Sequence, residues 1–552
     1  MAWNSLRTPQ KVLDVLWNID EMESEGEGCA ESDDDDEIED ACELSWSFGP
    51  DLDSESDFKA ECKEDPWEEA GDGPVWVEES GGSTRGKARM FQKMRTPSGP
   101  TSYAKDNITS PMSSLMCLID AEMWEIILKH TQAEADRNNA EHFDLTADEL
   151  KAFVALIYLS SITGGRRMKL NDYWSEDFGN LIFVKTMSSD RYKEIMRYLR
   201  FDDKATRASR IKTDKFAMIS EIFDKFVKNS KASYTAGENI TVGEQMFPSK
   251  VCCRFTQYMT NKPDKFGIKF WMAADAETKY MLNAIPCVEK DHRRAPDQQV
   301  SDNVVMQLVE PFLGKGRNIT TENFFTSLDL ANHLLAEKTT IVGKMNESRW
   351  AMPPCTRTQS ERFSTTVLKS GKVTLTIYQA KPKENVCVLS TMHQTVSFDK
   401  TANKVPDSVY HYNSTKLGVS ALDHMVRQYT IKGHAGRWPV AVFYNILQLA
   451  AINAHVLYRQ CTNVNTNRRK FILELVKEMC EKHRLAQRSR EMERKRLLLD
   501  TDPDPLCRPA KRRQCQIGRC SGNKTFGICG TCRRIVCGRC SKPAPKLCCE
   551  CL

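Results

Sequence analysis

Eight cysteines near the end of the chain fall in four close pairs: Cys515 and Cys520, Cys529 and Cys532, Cys537 and Cys540, Cys548 and Cys551. The spacing C-x4-C-x8-C-x2-C-x4-C-x2-C-x7-C-x2-C constrains its segment more than any other feature constrains the 552 residues. Each pair can present two thiolates to one tetrahedral zinc, at about 2.3 Å per bond. Eight ligands fill two closed sites with no position left for water, which makes such sites structural. The segment has too few apolar residues to fold without metal. A cross-braced arrangement is favoured, with Cys515, Cys520, Cys537 and Cys540 on one zinc and Cys529, Cys532, Cys548 and Cys551 on the other. Sequential pairing is the alternative, and Cys549 is left over. Nine of the 21 cysteines lie in 515–551. In a reducing compartment such a cluster reads as metal ligands, not disulfides.

Charge is as unevenly spread as cysteine. Residues 20–79 hold 26 Asp/Glu and two Lys/Arg, which leaves 76 Lys/Arg against 49 Asp/Glu elsewhere. An acidic arm on a basic body points to a polyanion partner such as nucleic acid. The arm has too little apolar area to offset chain entropy, so disorder is expected there. It either solubilises the chain, competes with DNA for the basic surface or recruits basic proteins. No Arg-flanked apolar leader opens the chain, which speaks against secretion. The apolar stretch 152–162 is too short to span a bilayer, and 440–457 is interrupted by Asn445, Gln448, Asn453 and His455. A soluble, intracellular chain with no membrane partner is expected.

Periodicity divides the rest. Residues 112–232 show helical spacing, with Thr146 and Glu149 forming a capping box at one helix start. Near 238 the period changes. Segments 238–246, 266–274 and 280–288 read as consecutive antiparallel strands. A helix at 302–312, a strand at 317–321, a helix at 326–337 and a strand at 340–344 follow. That order is the order of a ribonuclease H-like α/β fold. Residues 346–412 break the alternation, with strand-like pieces at 362–368, 372–378 and 385–390. Helices resume at 416–430 and 438–458, and a basic helix covers 466–499 with 11 Lys/Arg against five Asp/Glu. Its apolar positions Phe471, Ile472, Leu475 and Met479 suit packing along one face; its basic positions suit either a solvated face or phosphate contact.

The expected organisation is multidomain α+β. An acidic arm and basic linker (1–110) precede the first part of an all-α domain (111–234). A ribonuclease H-like core (235–345 and 413–460) carries an inserted β-rich subdomain (346–412). A basic helical segment and linker (461–504) lead to a cysteine-rich zinc module (505–552). In and near the module, Lys511, Arg512, Arg513, Arg533 and Arg534 favour nucleic acid as its ligand. Lys511, Arg512 and Arg513 also fit a nuclear import signal.

Several strings carry a resemblance: TAGENITVGEQM at 235–246, NKPDKFGIKF at 261–270, GRNITTENFFTS at 316–327, NDYWS at 171–175, MRYLRFDD at 196–203 and RWP at 437–439. In this order and spacing the chain resembles the piggyBac transposase family from about 112 to its end. The resemblance implies an α-helical dimerisation and DNA-binding domain around the ribonuclease H-like core. It also implies a cross-braced zinc module that reads transposon ends. Family members cut and rejoin DNA with three aspartates holding two divalent cations. Those positions here are Gly243 in TVGEQ, Glu322 in ITTEN and Ser420 in GVSALD. Asp423, the last residue of that string, is retained.

These departures disable the set. Gly243 offers no ligand, Glu322 shifts its carboxylate by about one methylene, and Ser420 is a poor Mg²⁺ ligand. Glu244 should face the other side of the sheet. Asp423 can share a helix face with Ser420, so Glu322 and Asp423 could remain near each other and hold one metal weakly. Trp438 has two readings. It stacks on an unpaired base, as the resemblance implies, with Arg437 beside it at the DNA; or it anchors the start of its helix.

The reading is a nuclear DNA-binding protein derived from a transposase, without strand transfer, with two structural Zn²⁺. A homodimer and transposon-like terminal repeats are the partners implied. The alternatives are a cleaving transposase that uses Glu322 and Asp423, and a zinc-module scaffold for proteins.

Overall fold

In a computed structural model of the chain, the described residues are 76–78, 97–140, 142–163, 168–249, 251, 253, 255–259, 266–288, 300–345, 352–353, 356, 361–381, 384–398, 403–429, 436–500, 512–518, 520 and 522–541, with the side chains of 300 and 494–500 excepted. They fall into two compact units, one within Met1–Thr131 and Leu199–Arg468, the other within Gln132–Tyr198 and Arg469–Leu552.

The first unit is built on a mixed sheet. Strands β1 (Asn239–Pro248), β2 (Phe266–Asp275) and β3 (Met281–Pro286) pair antiparallel in sequence order. Strand β4 (Asn318–Thr321) runs parallel to β1, and β5 (Thr340–Lys344) runs parallel to β4. The order β3-β2-β1-β4-β5 puts β1 in the middle. The NKPDKFGIKF string places Gly267 where a Cβ would fall on the Phe247 carbonyl, so only glycine lets β2 lie this close to β1.

The sheet does not stop at β5. Strands β6 (Thr365–Ser370), β7 (Val373–Lys381) and β8 (Glu384–Ser390) form a meander whose last strand pairs with β5, Ser390 opposite Val342 and Val388 opposite Lys344. The stretch 346–412, expected as an inserted subdomain, thus contributes strands that lengthen the core sheet. The physical gain is plain: Ile341 and Val342 are fully buried, and an unpaired apolar edge there would be an aggregation hazard.

Helices α1 (Ser220–Ser233), α2 (Val300–Val309), α3 (Leu328–Ala336), α4 (Asp407–Thr415), α5 (Gly418–Gln428) and α6 (Trp438–Thr462) belong to this unit's core. Helix α6 is long and apolar enough to cross a membrane, but 94% of its apolar window is buried in the protein, as befits a core helix. Pro439 sits in its first turn, where a missing amide costs no hydrogen bond. Asn463 closes it in the left-handed region, φ 58°.

Folded structure begins earlier than expected. Val77 and Glu78, in the arm read as disordered, pair with Lys369 and Leu368 of β6. Gly99 and Pro100 pair with Thr235 and Tyr234, and Ser102–Asn107 is a helix capped by Thr101. Buried Ala104 and Ile108 supply the apolar anchor that composition averaged over the linker conceals. Arg166, Arg167 and residues 1–75 lie outside the described residues.

In the second unit, Thr146 Oγ1 accepts from the Glu149 amide at 3.2 Å and so caps helix Ala147–Thr163. The reciprocal half of the expected box is replaced. The Glu149 carboxylate takes two bonds from Arg191, at 2.9 Å each. A forked, charge-assisted pair outcompetes one capping bond. Helix Arg468–Asp500 buries Phe471, Ile472, Leu475 and Met479, as its spacing predicted, while Arg469, Lys470, Lys477 and Lys482 are exposed.

Candidate catalytic positions and metal centre

Strand alternation sorts the candidate residues. Thr241, Gly243 and Gln245 share one face of β1. Helices α4, α5 and α6 lie on that face: Thr241 donates to the Thr415 carbonyl at 2.7 Å, and Asn445 of α6 donates to Gln245 Oε1 at 2.9 Å. Gly243 lies directly under α5. A Cβ there would be 3.1 Å from the Val419 Cβ, so any side chain at 243 requires α5 to give by a few tenths of an ångström. Glu244 lies on the opposite face, as expected, ion-paired with Lys269 at 2.7 Å.

Glu322 follows the last residue of β4 and is exposed; its carbonyl accepts from the Phe325 and Thr326 amides at 3.1 and 3.2 Å. Ser420 is exposed on α5. Asp423 lies three residues on in the same helix. It is 7% exposed and points inward, where Arg427 Nε holds Oδ2 at 3.1 Å. Arg427 also donates to the Met246 carbonyl at 2.9 Å, which ties α5 to β1. The Asp423 carboxylate, expected to hold one metal weakly together with Glu322, is thus engaged by a cationic partner one turn on, as a nearly buried carboxylate requires. The sequence reading missed Arg427, although its i, i+4 spacing from Asp423 was a readable signal. These positions thus offer one exposed carboxylate and one nearly buried in an ion pair, short of the donor set that two divalent cations need.

Trp438 and Arg437 are tied into the protein. The Trp438 ring packs against Phe216 at 5.5 Å and edge-on against Phe255 at 4.9 Å. Arg437 donates to the Leu199 carbonyl at 3.0 Å. Both contacts fit the anchoring reading of the helix start.

The cysteine segment brings four of its candidates together. The sulfurs of Cys515, Cys520, Cys537 and Cys540 all lie within 4.8 Å of one another. Cys520 and Cys537 Sγ are 3.7 Å apart, against about 3.8 Å for two corners of a tetrahedron with 2.3 Å metal–sulfur bonds. This is the cross-braced set; sequential pairing would have joined Cys515 and Cys520 to Cys529 and Cys532. Burial alone would raise the Cys537 thiol. The Arg539 and Cys540 amides and the Asn523 side chain bring it down to about 6, which suits a thiolate ligand. Cys529 is buried, and its carbonyl accepts from the Arg533 amide at 3.1 Å, with Arg533 in the left-handed region at φ 61°. The apolar support is small. Ile517 and Val536 pack with Cys529, and Cys515, Cys520, Cys532 and Cys540 pack against them. A metal held by Cys515, Cys520, Cys537 and Cys540 would supply the cross-link that this core is too small to replace.

Arg512, Arg513 and Arg533 are exposed, and the Arg512 guanidinium lies 5.5 Å from the Phe526 ring centroid. Arg534 is half-buried. Lys511, Cys548 and Cys551 lie outside the described residues. Among the described residues, no other group of three or more His, Cys, Asp or Glu is placed to hold a metal ion.

With this geometry in hand, comparison with known proteins is informative. A family model described as Transposase IS4 matches residues 110–455. The human PiggyBac transposable element-derived protein 3 is 26% identical over 234 residues, which cover 41% of this chain and 38% of that protein. The human Chimeric ERCC6-PGBD3 protein is 26% identical over 234 residues, 41% of this chain and 21% of its own length. The chain thus matches less than half the length of either curated relative. A cryo-EM structure of a piggyBac transposase synaptic complex with hairpin DNA aligns at TM-score 0.68 and 27% identity, covering 83% of this chain and 100% of that one.

Proposed function

The chain belongs to the piggyBac transposase family, and on that premise we propose that it is a nuclear DNA-binding protein without strand-transfer activity. The observation that carries this reading is the state of the three aspartate positions. Gly243 has no ligand atom, Ser420 has a neutral one, and the neighbouring Asp423 is engaged by Arg427 at 3.1 Å. Two Mg²⁺ ions would find too few hard oxygen donors to clamp both the attacking and the leaving oxygen of a DNA strand.

DNA binding is supported by the fold shared with a transposase described in complex with hairpin DNA. The exposed basic residues of Arg468–Asp500 and of the cysteine segment add to that support. The core of this reading is a ribonuclease H-like sheet. The cysteine segment is a zinc module with two Zn²⁺, the first on Cys515, Cys520, Cys537 and Cys540. Two copies acting on transposon-like terminal repeats complete the reading.

The test pairs binding with chemistry. Full-length protein should shift terminal-repeat duplex DNA and leave it uncut in Mg²⁺ or Mn²⁺. Cleavage that disappears in Glu322→Ala and Asp423→Ala would replace this reading with that of an active transposase.

A further inference from the structure

Just past β4, at the carboxyl end of the parallel pair β1 and β4, three aromatic rings form one stack. Open α/β sheets take their ligands at this end. Phe324 lies flat on Trp271, with centroids 5.4 Å apart and planes 10° from parallel. Phe325 braces both rings edge-on, 5.3 Å from Trp271 and 5.0 Å from Phe324. Lys269 Nζ sits 3.7 Å from the Trp271 centroid. Trp271 and Phe325 are buried, at 6% and 2% exposure, whereas Phe324 is 52% exposed. The rigid rings are inside and the leading ring meets solvent.

We propose that Phe324, backed by Trp271 and Phe325, is a stacking platform for one unpaired nucleobase. Every base has a π face, so a platform of this kind accepts any sequence but requires the base to be out of a duplex. The backing rings hold Phe324 in place, so little freedom remains to be lost on binding. Among the described residues, Lys269 is the cation over the Trp271 ring, and it pairs with Glu244 at 2.7 Å. Stacking engages the base and not its phosphate, so the contribution of the ring itself does not weaken with salt. Glu322, two residues before Phe324, is also exposed, which puts the platform beside one of the former catalytic positions. The proposal rests on the DNA-binding reading and deepens it, by assigning a site for unpaired DNA where strand chemistry is absent.

The test uses full-length protein and two labelled DNAs, a blunt duplex and the same duplex with a four-nucleotide single-stranded overhang, at two salt concentrations. We expect Phe324→Ala and Phe324→Leu to weaken overhang binding about tenfold at both salt concentrations, in line with alanine substitution of stacking residues. Both variants should leave blunt-duplex binding unchanged, and Phe324→Tyr should behave as the parent. Leucine keeps the apolar packing and loses only the flat ring, so a purely structural role would spare that variant. Phe398→Ala, at another 51% exposed phenylalanine, is the control and should change neither DNA. Equal loss on both DNAs, or no loss on the overhang with duplex binding intact, would overturn the platform alone. If the parent binds neither DNA, the DNA-binding reading falls and the platform falls with it.

Discussion

At the scale of single residues, Asp423 and Arg427 carry the sharpest consequence. Asp423 is what remains of the third aspartate string, and it has been turned into a structural ion pair whose side chains are 9% and 12% exposed. Removing only the cation leaves a carboxylate in a low-dielectric position, a change that costs about 3–5 kcal/mol for a buried pair. Arg427→Ala should therefore lower the thermal midpoint of the full chain by several degrees, while the double variant Asp423→Leu, Arg427→Met recovers most of the loss. Calorimetry reads both, and an unchanged midpoint in Arg427→Ala would show that the pair is solvated. Gly243 raises the converse question of what would rebuild a metal site. Gly243→Asp, Glu322→Asp and Ser420→Asp together supply the missing oxygens, but the 3.1 Å approach to Val419 demands room for the first of them. We expect Mg²⁺-dependent nicking only when Val419→Gly, which removes the Cβ at 3.1 Å, accompanies the three; nicking by the unchanged chain would refute the donor count.

At the scale of elements, strand positions were readable because alternation and β-branched runs leave a local signature. The expected strands at 238–246, 266–274, 317–321 and 340–344 coincide closely with β1, β2, β4 and β5. What was not readable is partnership. Nothing local tells β8 to pair with β5, or Val77 to sit opposite Lys369, because edge pairing depends on residues far apart in sequence. Site residues divide the same way. The cysteine set was legible from spacing, whereas the inward turn of Asp423 depended on how α5 rotates against β1. Two consequences belong at this scale. If the cysteine segment is a two-zinc module, Cys515→Ser or Cys537→Ser should lower metal content from two zinc to one or fewer per chain and expose the segment to protease. Two zinc retained in either variant would contradict the assigned ligand set. Helix α4 also carries a pH response. His411 bonds Asn239 and Asn318, packs 5.5 Å from His393, and is pushed down to about 4 by burial and then by His393, against an opposing pull from Asp407. His393 is lowered too, again by burial first. A base whose folded value lies below its ordinary 6.5 contributes stability that is full above pH 6.5 and is lost as pH falls towards about 4. His411→Gln should flatten the stability profile across that window; an unaltered slope would assign the acid response elsewhere.

At the scale of the whole molecule, one polypeptide joins an acidic stretch to a body with a surplus of Lys and Arg. The net charge of +3 conceals this, since 26 of the 75 acidic residues lie in 20–79. Val77 and Glu78, at the end of the acidic stretch in sequence, pair with β6 in the first unit. A tethered polyanion acts at an effective concentration on the order of millimolar for a short flexible link. It competes with DNA phosphates wherever it can reach the basic surface. On the DNA-binding reading, an arm that competes in this way has to be displaced as counterions are released from the duplex. Removing residues 1–75 while keeping the paired strand should strengthen duplex binding at low salt. It should also steepen the fall of log K with log salt, because more phosphate contacts form without a competitor. At high salt the two forms should converge, since both the arm and the DNA are screened over about 8–10 Å. Fluorescence anisotropy titrations across a salt series measure all three features. Parallel curves with no gain at low salt would mean that the arm only keeps the chain in solution and leaves the basic surface free.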